Sequence, residues 1–154
     1  MMNKVLIAAT LAFCSAFTSA EDIDFTGTAG SSCAFTNVSA GSLNVTGSVF
    51  STAIPATYDI TNNDPATFTV TVPQVTTFLS APGSATMSGD LVQVPAIASG
   101  DNNGAVFSGS NAAGWTVSLT NTGVDSLTHS VSGNITDAEA GAYTVRVPVT
   151  CTAV

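Results

Sequence analysis

Beyond residue 20 the sequence has no lysine, and Arg146 is its only basic residue against ten carboxylates. A chain so poor in cations repels nucleic-acid phosphates and anionic lipid head groups, so both are discounted as partners. Charged residues of either sign make up only 8% of the sequence. The surface must therefore be built mostly from Ser, Thr, Asn and Gly, a neutral hydrogen-bonding coat suited to life outside the cell. Apolar runs long enough to span a bilayer are also missing after residue 20, which argues against membrane insertion there. Low charge can accompany disorder, but regularly placed Val, Ile and Phe argue for a packed core.

What the N-terminus does have is the layout of a secretory signal peptide. Lys4 supplies a positive start, Val5 to Phe17 is almost unbroken apolar sequence, and Thr18-Ser19-Ala20 offers small residues before Glu21-Asp22. The apolar run is about 13 residues, short of the roughly 20 a membrane anchor needs. Leu11-Ala12-Phe13-Cys14 resembles a lipoprotein box, with Phe13 where a small residue belongs. The reading is a signal peptide over 1–20, cleavage after Ala20, export to the periplasm or cell surface of a bacterium, and a single domain over 21–154.

With Cys14 in the signal peptide, only Cys33 and Cys151 remain. An even pair in an oxidising compartment predicts a disulfide. It would close a loop of nearly the whole domain, contributing roughly 4–5 kcal/mol in the loop-entropy model, and pin the first strand beside the last. Two free thiols or intermolecular bridges are the alternatives.

Period-2 alternation with β-branched residues, punctuated by Gly, Asn and Pro, recurs along the chain. Phe68, Val70 and Val72 oppose Thr67, Thr69 and Thr71; Trp115, Val117 and Leu119 oppose Thr116, Ser118 and Thr120. The clearest run places Tyr143, Val145, Val147, Val149 and Cys151 on one face. Asn62-Asn63-Asp64-Pro65 is a turn signal. No segment has a helical period. The expectation is an all-β, antiparallel immunoglobulin-like β-sandwich of about seven to eight strands, with barrel closure as the alternative. Pro148 lacks an amide donor, which puts the last strand at an edge or a bulge.

Catalytic signals are weak. His129, flanked by Leu127 and Val131 on its face, reads as a sheet-edge histidine with a satisfied ring nitrogen. A Ser130–His129 pair would need an orienting acid and an oxyanion hole, and no Gly-x-Ser-x-Gly elbow appears. Asp137 and Glu139 read as solvated turn residues, so the chain is expected not to be an enzyme and to need no cofactor. Ser99 to Gly104 and Asn62-Asn63-Asp64 carry oxygen ligands that calcium favours, but neither has EF-hand spacing, and no metal site is assigned. Trp115 and Tyr143 are suited to stacking on sugars, yet both lie in the apolar phase and read as core.

Two stretches carry a family resemblance: Asp24-Phe25-Thr26-Gly27-Thr28 with Cys33, and Ala140-Gly141-Ala142-Tyr143-Thr144-Val145. With the signal peptide and the Thr- and Val-rich strands, they resemble bacterial chaperone-usher pilus subunits, most nearly the spore-coat-U-like variety. The resemblance implies a domain that lacks a strand and receives it from a neighbour, its own copy or another surface subunit. Glu21 to Ala29 would be the donor, with Ile23, Phe25, Gly27 and Ala29 inserted. Two departures stand: the family ties its first cysteine to a nearby strand, and the chain ends Cys151-Thr152-Ala153-Val154 without an aromatic close. The rival expectation is a stand-alone secreted or periplasmic sandwich binding a sugar, protein or calcium.

Overall fold

Serine and threonine alternating with Val, Ile, Leu and Phe give the longer core strands one apolar and one hydrogen-bonding face, and the architecture follows from burying the first. The computed structural model describes residues 32–63 and 67–154. The predicted signal peptide, Cys14, the donor positions Ile23, Phe25, Gly27 and Ala29, and Asp64-Pro65 lie outside the described residues.

Ten strands follow in order: β1 (Cys33–Ser39), β2 (Ser42–Thr46), β3 (Val49–Ile54), β4 (Ala56–Asn62), β5 (Phe68–Val72), β6 (Thr86–Gly100), β7 (Ser108–Ser110), β8 (Gly114–Leu119), β9 (Gly123–Thr136) and β10 (Thr150–Ala153). There is no helix among the described residues. All strand pairings are antiparallel. The count exceeds the seven to eight expected. The Leu43–Val45 run is one arm of a β2–β3 hairpin that turns at Gly47, φ 58°. The 15-residue β6 has a further reason to escape notice: its inward residues include Gln93 and Pro95 beside Leu91, which breaks the apolar alternation.

β9 is the axis of the larger sheet. β6 pairs along one flank, from Gly100 opposite Asp125 to Thr86 opposite Thr136. The other flank is shared: β4 pairs with residues 123–129 and β3 with residues 132–134. β1 lies outside β4, and β2 lies outside β3. The second sheet has the order β10-β5-β8-β7.

Both sheets contribute to one core. Tyr58, Ile60 and Leu127 of the first pack with Phe68, Val70, Val72, Val117 and Leu119 of the second. Fully burying such side chains contributes about 1.5–3 kcal/mol each. A second cluster gathers Phe50, Leu91 and Ile135 with Val75 and Ala85. It depends on Gly133, where a Cβ would lie 2.7 Å from the Phe50 ring. The Cys33–Cys151 disulfide forms as expected, with a sequence separation of 118, and joins β1 of one sheet to β10 of the other.

One expectation is corrected. The run from Tyr143 to Cys151, the clearest strand in the sequence, pairs as a strand only from Thr150 onward, apart from one isolated bridge at Thr144. Period-2 alternation reports which way side chains face; it carries no information on whether a neighbouring backbone is there to bond.

Candidate binding groove

The segment 143–149 is tied at both ends. At its start, Tyr143 Oη donates to the Glu139 carbonyl at 2.7 Å and accepts from the Glu139 amide at 2.9 Å. The Glu139 carboxylate, exposed in a loop as expected, also accepts from the Ser84 amide (2.9 Å) and Ser84 Oγ (3.1 Å). The Tyr143 ring meets Phe78 at 5.3 Å, and Phe78 meets Phe50 at 5.4 Å. Thr144 then makes an isolated bridge to Ser80, donating at 2.9 Å, while its carbonyl accepts from Leu79 at 2.8 Å. At the other end, β10 pairs with β5 and Cys151 is bonded to Cys33.

Between these anchors no backbone hydrogen bond is made by Val145 to Val149 among the described residues. The phase of the missing bonds can be read. Thr144 directs its N–H and C=O toward Ser80 and Leu79, and Val154 donates to Thr67 at 3.0 Å. Even-numbered residues therefore point their amides toward the β5 side. In an extended chain the odd ones, Val145, Val147 and Val149, point theirs the opposite way. Pro148 falls in the even phase, so its missing N–H leaves the open side uninterrupted.

Beside this edge lies a groove of about 590 Å³. Val145, Val147 and Val149 form one wall, and Phe35 and Val38 of β1 with Leu43 of β2 contribute to the other. Its floor crosses the point where β3 and β4 part company along β9. There Thr52 Oγ1 takes the place of a backbone partner, accepting from the Val131 amide at 2.6 Å and donating to the Val131 carbonyl at 2.8 Å. The rim is apolar and open: Val38 is 71% exposed and Ile54 63%.

Two polar atoms interrupt the apolar floor. Tyr58 Oη and His129 Nε2 are buried with no hydrogen-bond partner, although both residues line the groove. The satisfied ring nitrogen expected for His129 is thus corrected: the residue is 5% exposed and its Nε2 is bare. A bonding partner withheld from such atoms costs about 1–3 kcal/mol each. Burial pushes the Tyr58 hydroxyl up to about 12 and the His129 imidazole down to about 4.

The histidine shift gives a signed pH dependence. Its folded pKa lies below the ordinary 6.5, so between these values the unfolded chain binds the proton more readily. The associated stability is present in full above about pH 6.5, falls as the pH drops toward 4, and levels off below it. Urea unfolding of wild type and His129→Phe should show their difference in stability changing across this window, by up to about 3 kcal/mol. A constant difference would show that His129 is solvated.

The other residues singled out in the sequence are dispersed. Ser130 stands opposite Val94 and alternates to the face away from His129, and among the described residues no carboxylate lines the groove. Trp115 packs against the main core, with Nε1 donating to Asn111 Oδ1 at 3.4 Å. Tyr143, expected in the core, packs partly buried against the second cluster and also lines the groove. Of the calcium-like stretch, Asn102 is buried. Its amide and Nδ2 donate to the two Asp125 carboxylate oxygens, each at 2.7 Å, while its Oδ1 accepts from the Thr120 and Asn121 amides. These groups are spent on locking a loop. No cluster of three or more His, Cys, Asp or Glu suited to a metal occurs among the described residues. Tyr58 and Thr52 were not signalled as site residues, since each reads simply as one more position in an alternating strand.

Compared with known proteins, the chain matches no family model, no curated protein and no solved structure.

Proposed function

We propose that this protein is an exported, non-catalytic structural or adhesive surface subunit, an immunoglobulin-like sandwich short of one strand, which assembles by accepting a strand along the open edge at 145–149. The observation that carries this reading is the unpaired backbone of Val145, Val147 and Val149 beside an apolar groove. An extended segment laid there would gain main-chain hydrogen bonds from the edge and specificity from alternate side chains entering the groove. The donor in this reading is Glu21 to Ala29 of a neighbouring copy, with Ile23, Phe25, Gly27 and Ala29 turned inward. The alternation of Ile23, Phe25 and Ala29 with polar residues supports the assignment.

Light scattering on residues 21–154, purified from a periplasm, should show growth of linear species, and deleting residues 21–29 should stop it. A monodisperse monomer at all concentrations would overturn assembly by strand addition.

A second reading, a stand-alone binding module, is favoured by the bare Tyr58 Oη and His129 Nε2. The groove volume lies within the range of small-molecule sites, which are mostly apolar with a few placed polar groups. A small amphipathic molecule with one hydrogen-bonding end fits that description.

A further inference from the structure

Resting on the strand-addition reading, we infer that Arg146 sets the register of the incoming strand by pairing with Asp24 of the donor. Arg146 is exposed on the outer face of the open edge, between the inward residues Val145 and Val147, and has no ion pair among the described residues. It is the only basic residue in 21–154, whereas the donor segment carries Glu21, Asp22 and Asp24 within its first four positions. The sole cation of the domain thus stands on the edge that is to be covered, and the covering strand is acidic.

The phases agree. With Ile23, Phe25, Gly27 and Ala29 turned into the groove, Asp22, Asp24, Thr26 and Thr28 face outward, on the side of Arg146. Residues directly opposite across a strand pair share a face, and opposite charges there attract. Placing Asp24 opposite Arg146 sets Ile23 and Phe25 against Val145 and Val147, whichever direction the strand runs. The two largest apolar donor side chains then meet the two valines that flank the arginine.

A slip of one residue would turn Ile23 and Phe25 outward and is opposed by the groove itself. A slip of two keeps the phase, so alternation alone does not exclude it. In one sense it sets Thr26 opposite Arg146 and breaks the direct pair. In the other it sets Asp22 there, which keeps an ion pair, but turns Glu21 into the apolar groove, where a carboxylate is costly. The charge pair thus discriminates against the first slip and the apolar lining against the second, which together fix the register that alternation leaves open.

The test is a charge exchange in chains of residues 21–154. Each chain both donates and accepts, so D24R alone and R146D alone set like charges opposite each other in every homotypic contact. Each should assemble about 5-fold or more slowly than wild type, by the upper end of such pair energies. An equimolar mixture of D24R with R146D should recover the wild-type rate, because each donor then meets an acceptor of opposite sign. The defect of each single variant should shrink as salt is raised toward 1 M. Failure of wild type itself to assemble would remove the underlying strand-addition reading. Assembly of wild type with no defect in either variant, or with a defect that mixing does not relieve, would remove the Arg146–Asp24 pairing alone. D24N and R146Q, milder changes at exposed positions, should give smaller losses in the same direction; unchanged rates for both would also count against it.

Discussion

Phe25→Asp should abolish assembly of residues 21–154, lowering its extent at least 100-fold in light scattering while leaving the disulfide intact. The size follows from what the groove offers. Burying a phenylalanine is worth about 1.5–3 kcal/mol, and each 1.4 kcal/mol is a factor of ten in an equilibrium constant. Its replacement adds the cost of carrying a carboxylate into a cavity lined mainly by valines, Leu43, Ile54 and aromatic rings, with no Lys or Arg lining it among the described residues. Phe25→Leu should retain most of the activity in the same assay, since it keeps an apolar side chain in the same phase. Equal assembly by Phe25→Asp and wild type would mean that the groove is not where this segment goes.

Removing the disulfide by Cys33→Ala with Cys151→Ala should lower the unfolding free energy of residues 21–154 by about 2–5 kcal/mol, measured by urea denaturation. Its sequence separation of 118 puts it among the longest loops such a chain can close, so in the entropy model the unfolded state is restricted strongly. A native-state effect adds to this. β1 bonds only to β4 within its sheet, and the disulfide is its covalent hold on the opposite one. Loss of the bridge should therefore loosen Phe35 and Val38 on the groove wall first, visible as faster amide exchange in β1 than in β9. A change below 1 kcal/mol with β1 still protected would show that the noncovalent contacts suffice.

Much of this fold was legible before any coordinates. Phe68–Val72 and Gly114–Leu119 alternate cleanly because each faces the main core on one side and solvent on the other. The disulfide could be read from the count and compartment of its cysteines. β6 was not legible, because an inward Gln93, whose Nε2 bonds the Pro73 carbonyl at 2.9 Å, and an inward Pro95 do not look like a strand's apolar face. Proline is admissible there because β6 is an edge strand. The groove was legible only in part: Pro148 put the last strand at an edge or a bulge, without showing which residues lack a neighbour. Hydrophobic pattern records burial, whereas the absence of a bonding neighbour along Val145 to Val149 is a property of topology. The bare ring nitrogen of His129 likewise depends on what stands across from it, which no local pattern encodes.

The bond between Cys33 and Cys151 also has a mechanical meaning. In a fibre joined by strand addition, tension would enter each subunit through the segment ahead of Cys33 and leave through the edge that grips the next segment. Those two places are one covalent step apart, with Cα atoms 6.1 Å from each other. Load would cross from one to the other through the sulfur bridge without passing through β4, β9 or the two hydrophobic clusters. The subunit would be pulled at a single corner, and its interior would remain unloaded while the fibre is stretched.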